Sequence, residues 1–171
     1  MRLVIDTNIL ISALLSDRSL PSHLIVLWRA GRFDLLTSVE QVDELMRVTR
    51  YPKIRQRLPP TLAGQLINEP RNIAILVSDL PTVTVSPDPN DNYPLAMAAV
   101  GGANFLVTGD KRDVLALNVY AGTKIITVRD FLILHGRMPS GVQSQQATPC
   151  RDQLIHCPSP PAFANPLQSR D

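Results

Sequence analysis

The chain is poor in the residues that disulfide-bonded and thiol- or histidine-dependent proteins require. Only two of its 171 residues are cysteines, Cys150 and Cys157, so a disulfide framework in the core is not expected. Its only histidines before residue 138 are His23 and His135, which leaves no Ser-His-Asp or Cys-His set there. Neither GxxxxGK[ST] nor GxGxxG is present, so no glycine-rich nucleotide-binding loop is predicted.

Long apolar runs are also missing. No run approaches the 18 residues of a membrane span, and the N-terminus shows no apolar stretch typical of a signal peptide. We therefore expect a cytoplasmic protein without membrane contact. The net charge of +2 is too small to indicate nucleic-acid binding by itself. The length and an apolar content of 44% predict a single folded domain.

Strand-like and helix-like segments alternate along the chain. This alternation predicts an α/β protein with a mostly parallel five-stranded sheet and helices on both faces. The helical patterns begin after most of these strands, and Pro70 is expected to interrupt the one at 61–77 near residue 69. The predicted strands cover residues 2–5, 33–37, 83–85, 105–108 and 125–128, and the last helix is predicted to open at Phe131.

The composition changes after residue 137. Residues 138–171 hold six of the fifteen prolines and few large apolar side chains. Such a segment buries too little surface to offset the entropy of ordering it. We therefore predict a folded domain over 1–137 and a disordered tail over 138–171. The tail's cysteines and histidine lack the tight repeated spacing of a zinc site.

Two predicted strands end in an aspartate. Asp6 follows the apolar run Leu3-Val4-Ile5, and Asp110 follows Phe105-Leu106-Val107-Thr108-Gly109. Ligands of open α/β sheets bind at the carboxyl ends of the strands, so both carboxylates are candidate site residues if their strands are neighbours. The ordinary alternative for each aspartate is a turn or a helix N-cap.

Two further acidic positions are candidates. The segment 88–92 is rich in Asp and Asn and leads into a helical pattern, which brings Asp91 near the end of the third strand. An Asx turn with an N-cap is the alternative there. Glu44 lies one helical turn after Glu40, beside an apolar stripe, and a solvated acidic face is its alternative. Ser38 and Gln41 have the spacing of a capping box at the start of that helix.

These positions form a candidate set of four carboxylates, Asp6, Glu44, Asp91 and Asp110. Clustered carboxylates repel one another unless protons or a metal ion compensate their charge. Oxygen ligands suit hard cations such as Mg²⁺ or Mn²⁺. An ion of this kind activates a water against a phosphodiester, which predicts nuclease chemistry.

A run of basic residues begins one turn beyond Glu44. It contains five cations in eleven residues, and a solvated helix end is the alternative interpretation. Beside a nuclease site, the same residues would bind the phosphate backbone of RNA. The five residues are Arg47, Arg50, Lys53, Arg55 and Arg57.

The motifs together resemble the PIN domain family, in particular the VapC-like ribonuclease toxins of bacterial and archaeal toxin–antitoxin pairs. The matching segments appear in family order at family-like spacings and cover about residues 1–132. They are VIDTNILISALL (4–15), LLTSVEQVDEL (35–45), DPNDNYPLAMAAVGGANFLVTGD (88–110) and IITVRDFL (125–132).

The resemblance implies a three-layer α/β/α fold with strand order 3-2-1-4-5. It also implies an acidic site that uses Mg²⁺ or Mn²⁺ to cut single-stranded RNA. A cognate antitoxin protein that blocks this site and a homodimer are the implied partners. Position by position, Asp6, Glu44 and Asp110 match the first, second and fourth acids, and Asn8 and Thr108 match accessory polar positions.

The third acid departs from the family pattern. Counting back from the strand at 105–108 puts this position on Asn92, whereas its neighbour Asp91 is acidic, and we assign the role to Asp91. Neighbouring helical side chains differ by about 100° in direction, so the choice decides which one faces the site. The departure leaves open a second function, a catalytically silent PIN-like module that binds RNA or a protein.

Overall fold

The strands form one sheet at the centre of the domain. The computed structural model describes residues 1–109 and 112–136, so the predicted ligand Asp110 and the predicted tail 138–171 lie outside the described residues. In the described part the strands are β1 (Arg2–Ile5), β2 (Asp34–Thr37), β3 (Ile75–Leu76), β4 (Phe105–Thr108), β5 (Val119–Tyr120) and β6 (Thr123–Thr127). Their order is β3-β2-β1-β4-β6-β5, and only β5 pairs antiparallel.

Helices connect the parallel strands. The described helices are α1 (Thr7–Leu15), α2 (Leu20–Arg29), α3 (Val39–Thr49), α4 (Pro52–Arg55), α5 (Pro60–Ile73), α6 (Pro89–Gly101), α7 (Arg112–Leu115) and α8 (Val128–His135).

Side chains alternate between two cores along β1, as the pleat of a strand requires. Leu3 and Ile5 enter one core, which also contains Trp28 of α2 and Phe131 of α8. Val4 points into the other core with residues of α6 such as Met97. Helices therefore cover both faces of the sheet, which confirms the predicted three-layer α/β/α class. The five parallel strands have the expected order 3-2-1-4-5.

Two details of the predicted sheet are wrong. The third strand is Ile75–Leu76, not residues 83–85, because the backbone N–H of Val85 binds the side chain of Asn92 at 3.0 Å instead of a neighbouring strand. The β-branched composition of 83–85 is therefore overridden by tertiary contacts. The sheet also gains a sixth strand, since residues 119–120 turn back onto β6 through a tight reversal at Ala121 and Gly122, both with positive φ.

Two predicted helix boundaries also differ. α5 continues through Pro70 to Ile73, because Pro70 lies in the last turn, where its carbonyl still accepts from Ala74 N at 3.0 Å. α8 begins at Val128 rather than Phe131, because the Thr127 hydroxyl oxygen caps it by accepting from the backbone N–H of Asp130 at 3.1 Å.

Gln41 joins α3 to the end of β1. Ser38 caps α3 as predicted, with its hydroxyl oxygen 3.4 Å from the backbone nitrogen of Gln41. The Gln41 side chain does not complete a capping box, however. Its Nε2 donates to the carbonyl of Ile5 at 2.7 Å, and its Oε1 accepts from Thr37 Oγ1 at 3.0 Å. This fully buried amide therefore satisfies the last carbonyl before Asp6.

Among residues 1–109 and 112–136, no single helix has both the length and the apolarity needed to span a membrane. The pair α1 and α2 has them only together, with a bend of 100° between the two helices.

Replacing Gln41 with methionine tests whether its side-chain hydrogen bonds to Ile5 and Thr37 stabilise the protein. The variant keeps the side-chain volume but leaves the Ile5 carbonyl and the Thr37 hydroxyl without their buried partner. We expect urea denaturation to show a loss of about 2 kcal/mol in the free energy of unfolding. Asp43→Asn, an exposed change on the same helix, is the control and should have little effect. Equal stability of both variants would contradict this role of Gln41.

Candidate functional site

Asp6 lies at the carboxyl end of β1, directly beside the end of β4. Parallel pairing sets Ile5 opposite Val107, and the Asp6 backbone N–H donates to the Val107 carbonyl at 2.9 Å. The side chain is 7% exposed. One carboxylate oxygen accepts from the backbone N–H of Asn8 at 3.0 Å, and the other accepts from Thr108 Oγ1 at 2.8 Å. Asp6 is therefore a helix cap as well as a candidate ligand, so its two interpretations are compatible.

Asn8 and Thr108, the two predicted accessory positions, bind the Asp6 carboxylate in different ways. Thr108 is buried and holds the Asp6 carboxylate with its hydroxyl. Asn8 is exposed and reaches Asp6 through its backbone N–H.

Asp91 and Asn92 lie near the start of α6 and point to different surroundings. Asp91 is 5% exposed and lines a small cleft together with Asp6 and Thr108. Its Oδ2 lies 3.4 Å from the hydroxyl of Ser86, which donates to it. The structure therefore brings Asp91, not Asn92, next to Asp6. The other residues lining this cleft, called the acid cleft below, are Pro94, Leu106 and Val114.

Asn92 holds the loop that precedes α6. Its Oδ1 accepts from the backbone N–H groups of Val85 and Ser86 at 3.0 and 2.8 Å. Its Nδ2 donates to the carbonyls of Ser86 and Asp88 at 2.9 and 3.2 Å. A carboxylate could replace the two acceptor contacts but not the two donor contacts. The two donor contacts with the loop therefore explain why position 92 is an amide and not a carboxylate.

Glu44 is connected to Thr7, the residue after Asp6, through hydrogen bonds of the Tyr93 hydroxyl. The Tyr93 hydroxyl donates to Glu44 Oε2 at 2.5 Å and lies 2.7 Å from Thr7 Oγ1. Since the tyrosine proton is given to the carboxylate, the Thr7 hydroxyl is the donor in the second contact. Arg47 Nη2 is 3.6 Å from Glu44 Oε1. Glu44 is therefore connected to the residue next to Asp6, although it does not line the acid cleft.

Tyr93 is a residue that the sequence analysis missed. Burial raises the pKa of its hydroxyl above the ordinary range of tyrosine, and the hydrogen bond to Glu44 raises it further. The available signal was weak, since a tyrosine two residues after Asp91 is equally typical of a core position.

The four predicted acids are thus only partly assembled in the described structure. Asp6 and Asp91 share the acid cleft, Glu44 is linked through Tyr93 and Thr7, and Asp110 is not among the described residues. No group of three or more His, Cys, Asp or Glu side chains suited to a metal occurs in the part of the chain that is described.

The basic run starts at this site and continues along the surface. Arg47 contacts both Glu44 and the hydroxyl of Tyr51, the latter at 3.3 Å. The run passes from α3 into α4 and the loop after it. All five of its cations are exposed, so each is accessible to a polyanion; they are Arg47, Arg50, Lys53, Arg55 and Arg57.

Tyr93→Phe should change how stability depends on pH. At pH 8 the lost hydrogen bonds should lower the free energy of unfolding by about 1 kcal/mol. Above pH 10 an unfolded tyrosine loses its proton, whereas folded Tyr93 keeps it, so the wild type loses stability as pH rises. Phenylalanine has no ionisable hydroxyl, so the free energy of unfolding of the variant lacks this loss at high pH. Urea denaturation should therefore show the difference between the two proteins narrowing from pH 8 to pH 11, and a constant or widening difference would contradict the burial of this hydroxyl.

Asn92→Asp should destabilise the protein. Two carbonyls that now accept hydrogen bonds from Nδ2 would face a carboxylate oxygen. We expect thermal and urea denaturation to show a loss of about 2 kcal/mol. Asn68→Asp, the same chemical change at an exposed position of α5, is the matched control. If Asn92→Asp were as stable as that control, the amide would not be what holds the loop.

Comparison with known proteins agrees with this architecture. A family model described as PIN domain matches residues 2–112, which is more than half of the chain. No curated protein and no solved structure gives a significant match. The matched region contains β1 to β4 and the described acids Asp6, Glu44 and Asp91. The chain therefore belongs to the PIN domain family, whose members are generally nucleases.

Proposed function

We propose that this protein is a metal-dependent endoribonuclease that cleaves single-stranded RNA. The observation that carries the proposal is the convergence of Asp6 and Asp91, from two separate elements, on one cleft at the carboxyl edge of the sheet. Membership of a family of nucleases gives this cleft its chemical interpretation.

The donor set of the acid cleft fits Mg²⁺ or Mn²⁺. Mg²⁺ is commonly bound through one or two carboxylates while it keeps several waters, and Asp6 and Asp91 supply two buried carboxylates. We propose Asp6, Asp91 and Asp110 as ligands of the ion, with Glu44 completing the site. When bound, the ion would supply an activated water and stabilise the departing oxygen of a phosphodiester.

The protein's own residues keep the acids in place. Thr108 and the Asn8 backbone N–H hold both oxygens of Asp6. Ser86 donates to Asp91, and Tyr93 with Arg47 holds Glu44. Carboxylates fixed in this way need little rearrangement when they bind a cation or orient a water.

The exposed basic run supports RNA as the substrate. Its cations begin at Arg47, in contact with Glu44, and extend away from the site along α3 and α4. A strand whose phosphates follow this run would enter the acid cleft from one side.

The toxin role rests on the sequence motifs. The segments with VapC-like spacing support a toxin of a toxin–antitoxin pair, acting in the cytoplasm and inhibited by a cognate antitoxin protein. Homodimer formation belongs to the same proposal. The silent-module alternative is no longer favoured by a specific observation, because Asn92, which suggested it, binds the loop.

Cleavage of a mixed pool of single-stranded RNA tests the catalytic proposal. In Mg²⁺, the wild type should cut internally, and Asp6→Asn should lower the rate by at least about 100-fold because it weakens a metal ligand. Asp43→Asn makes the same chemical change at an exposed position and should keep full activity. Thermal melting confirms that both variants fold.

Two results would contradict the mechanism. One is equal cleavage by the wild type and Asp6→Asn, and the other is cleavage that persists in EDTA. RNA binding without any cleavage would instead support the silent module.

A further inference from the structure

A second, larger cleft lies beside the acid cleft. It has a volume of about 570 Å³, within the range of small-molecule sites. Glu40 of α3, Asn92 and Tyr93 of α6, and most residues of the loop 80–87 line it. We call it the loop cleft.

The wall of the loop cleft is anchored at several points. The four hydrogen bonds of Asn92 hold the end of the loop, and Leu80 and Val83 pack against the core beneath it. The Ser86 hydroxyl also lies 3.3 Å from the backbone nitrogen of Asp88, which donates to it. A loop fixed in this way presents a preformed surface, which lowers the cost of binding a ligand.

The chemistry of the lining favours a nucleobase over a phosphate. Apolar side chains of Pro81, Val83 and Pro87 suit the faces of an aromatic ring, and the hydroxyls of Thr82 and Thr84 suit its polar edge. The charged group in the lining is the carboxylate of Glu40, which repels phosphate and accepts hydrogen bonds from base amino groups. No basic residue is among the described residues that line the cleft.

The two clefts have no described lining residue in common, but hydrogen bonds connect their walls. Ser86 lines the loop cleft and donates to Asp91 of the acid cleft, and Tyr93 lines the loop cleft and donates to Glu44. Asn92 follows Asp91 directly in the chain. A ligand in the loop cleft would therefore lie beside the carboxylates proposed to act on RNA.

We infer that the loop cleft receives one base of the RNA strand, next to the phosphodiester that the acid cleft cuts, with Glu40 binding its amino group. The inference rests on the proposed ribonuclease function and adds a base-specific subsite to it. It also gives the basic run and the loop cleft separate tasks, the first binding phosphates and the second binding a base.

Binding of single-stranded RNA in EDTA tests the subsite without cleavage. Oligonucleotides in which one base at a time is removed are compared by fluorescence anisotropy with the full chain. We expect one abasic position to weaken binding roughly tenfold more than the others, as loss of one buried base predicts. Thr84→Trp, which fills the cleft, should abolish this difference, whereas Thr84→Ser should keep it.

Glu40→Gln provides an independent variant at an exposed position. It should reduce the preference for amino-bearing bases at the sensitive position roughly tenfold, because a charged acceptor is lost. Asp43→Asn removes the same charge from the same helix outside the cleft and should leave the preference unchanged.

The outcomes separate this inference from the function on which it rests. Three results would overturn the subsite. They are an equal loss of RNA affinity at every abasic position, a pattern of losses that neither Thr84→Trp nor Glu40→Gln changes, and no binding of RNA. A position-dependent profile in a protein that never cuts RNA would retain the subsite and reject the nuclease. Cleavage of RNA together with equal effects of all abasic positions on binding would retain the nuclease and reject the subsite.

Discussion

The parallel pairing of β1 with β4 is the constraint on which the candidate site depends. Its register sets Ile5 opposite Val107, so the next residues of the two strands, Asp6 and Thr108, emerge side by side. The hydrogen bond between their side chains then fixes one oxygen of the carboxylate, and the start of α1 fixes the other. A slip of this register would separate Asp6 from Thr108. Packing in both cores stabilises the register, because β1 is buried on both faces.

Two adjacent residues near the start of α6, Asp91 and Asn92, have different roles. Successive helical side chains point about 100° apart, so Asp91 can enter the acid cleft while Asn92 turns towards the loop. The loop in turn supplies Ser86 to Asp91. One buried amide therefore supports both the candidate ligand and the wall of the loop cleft.

Much of the fold could be predicted because its signals are local. The apolar runs ending in Asp6 and in Thr108 mark buried strands, and glycine after residue 100 marks the end of α6, where Gly102 has a positive φ. The third strand could not be predicted in the same way. Residues 75–76 are only two and are exposed, whereas the β-branched residues 83–85 have the stronger local signal and form a loop.

The candidate site was predictable to a similar degree. The carboxyl-end rule and the family resemblance indicated Asp6. For the third acid the family spacing gave Asn92, and we chose Asp91 because it is acidic; the structure brings Asp91 next to Asp6. What the sequence did not reveal is why Asn92 is an amide, which follows from its hydrogen bonds to the preceding loop. The same holds for Gln41, whose spacing indicated a capping box although its side chain reaches Ile5. Tyr93 and the loop cleft depend on contacts between distant segments and left no local pattern.

The central claim is that Asp6 and Asp91 bind one divalent cation in the acid cleft. The most direct test is a titration of the ¹⁵N-labelled full chain with Mn²⁺, whose unpaired electrons broaden nearby amide resonances. Our account predicts that substoichiometric Mn²⁺ first broadens the amides around Asp6, Asp91 and Thr108, that Mg²⁺ competes, and that Asp6→Asn removes the effect. Absence of selective broadening, or broadening centred on another surface, would contradict the account.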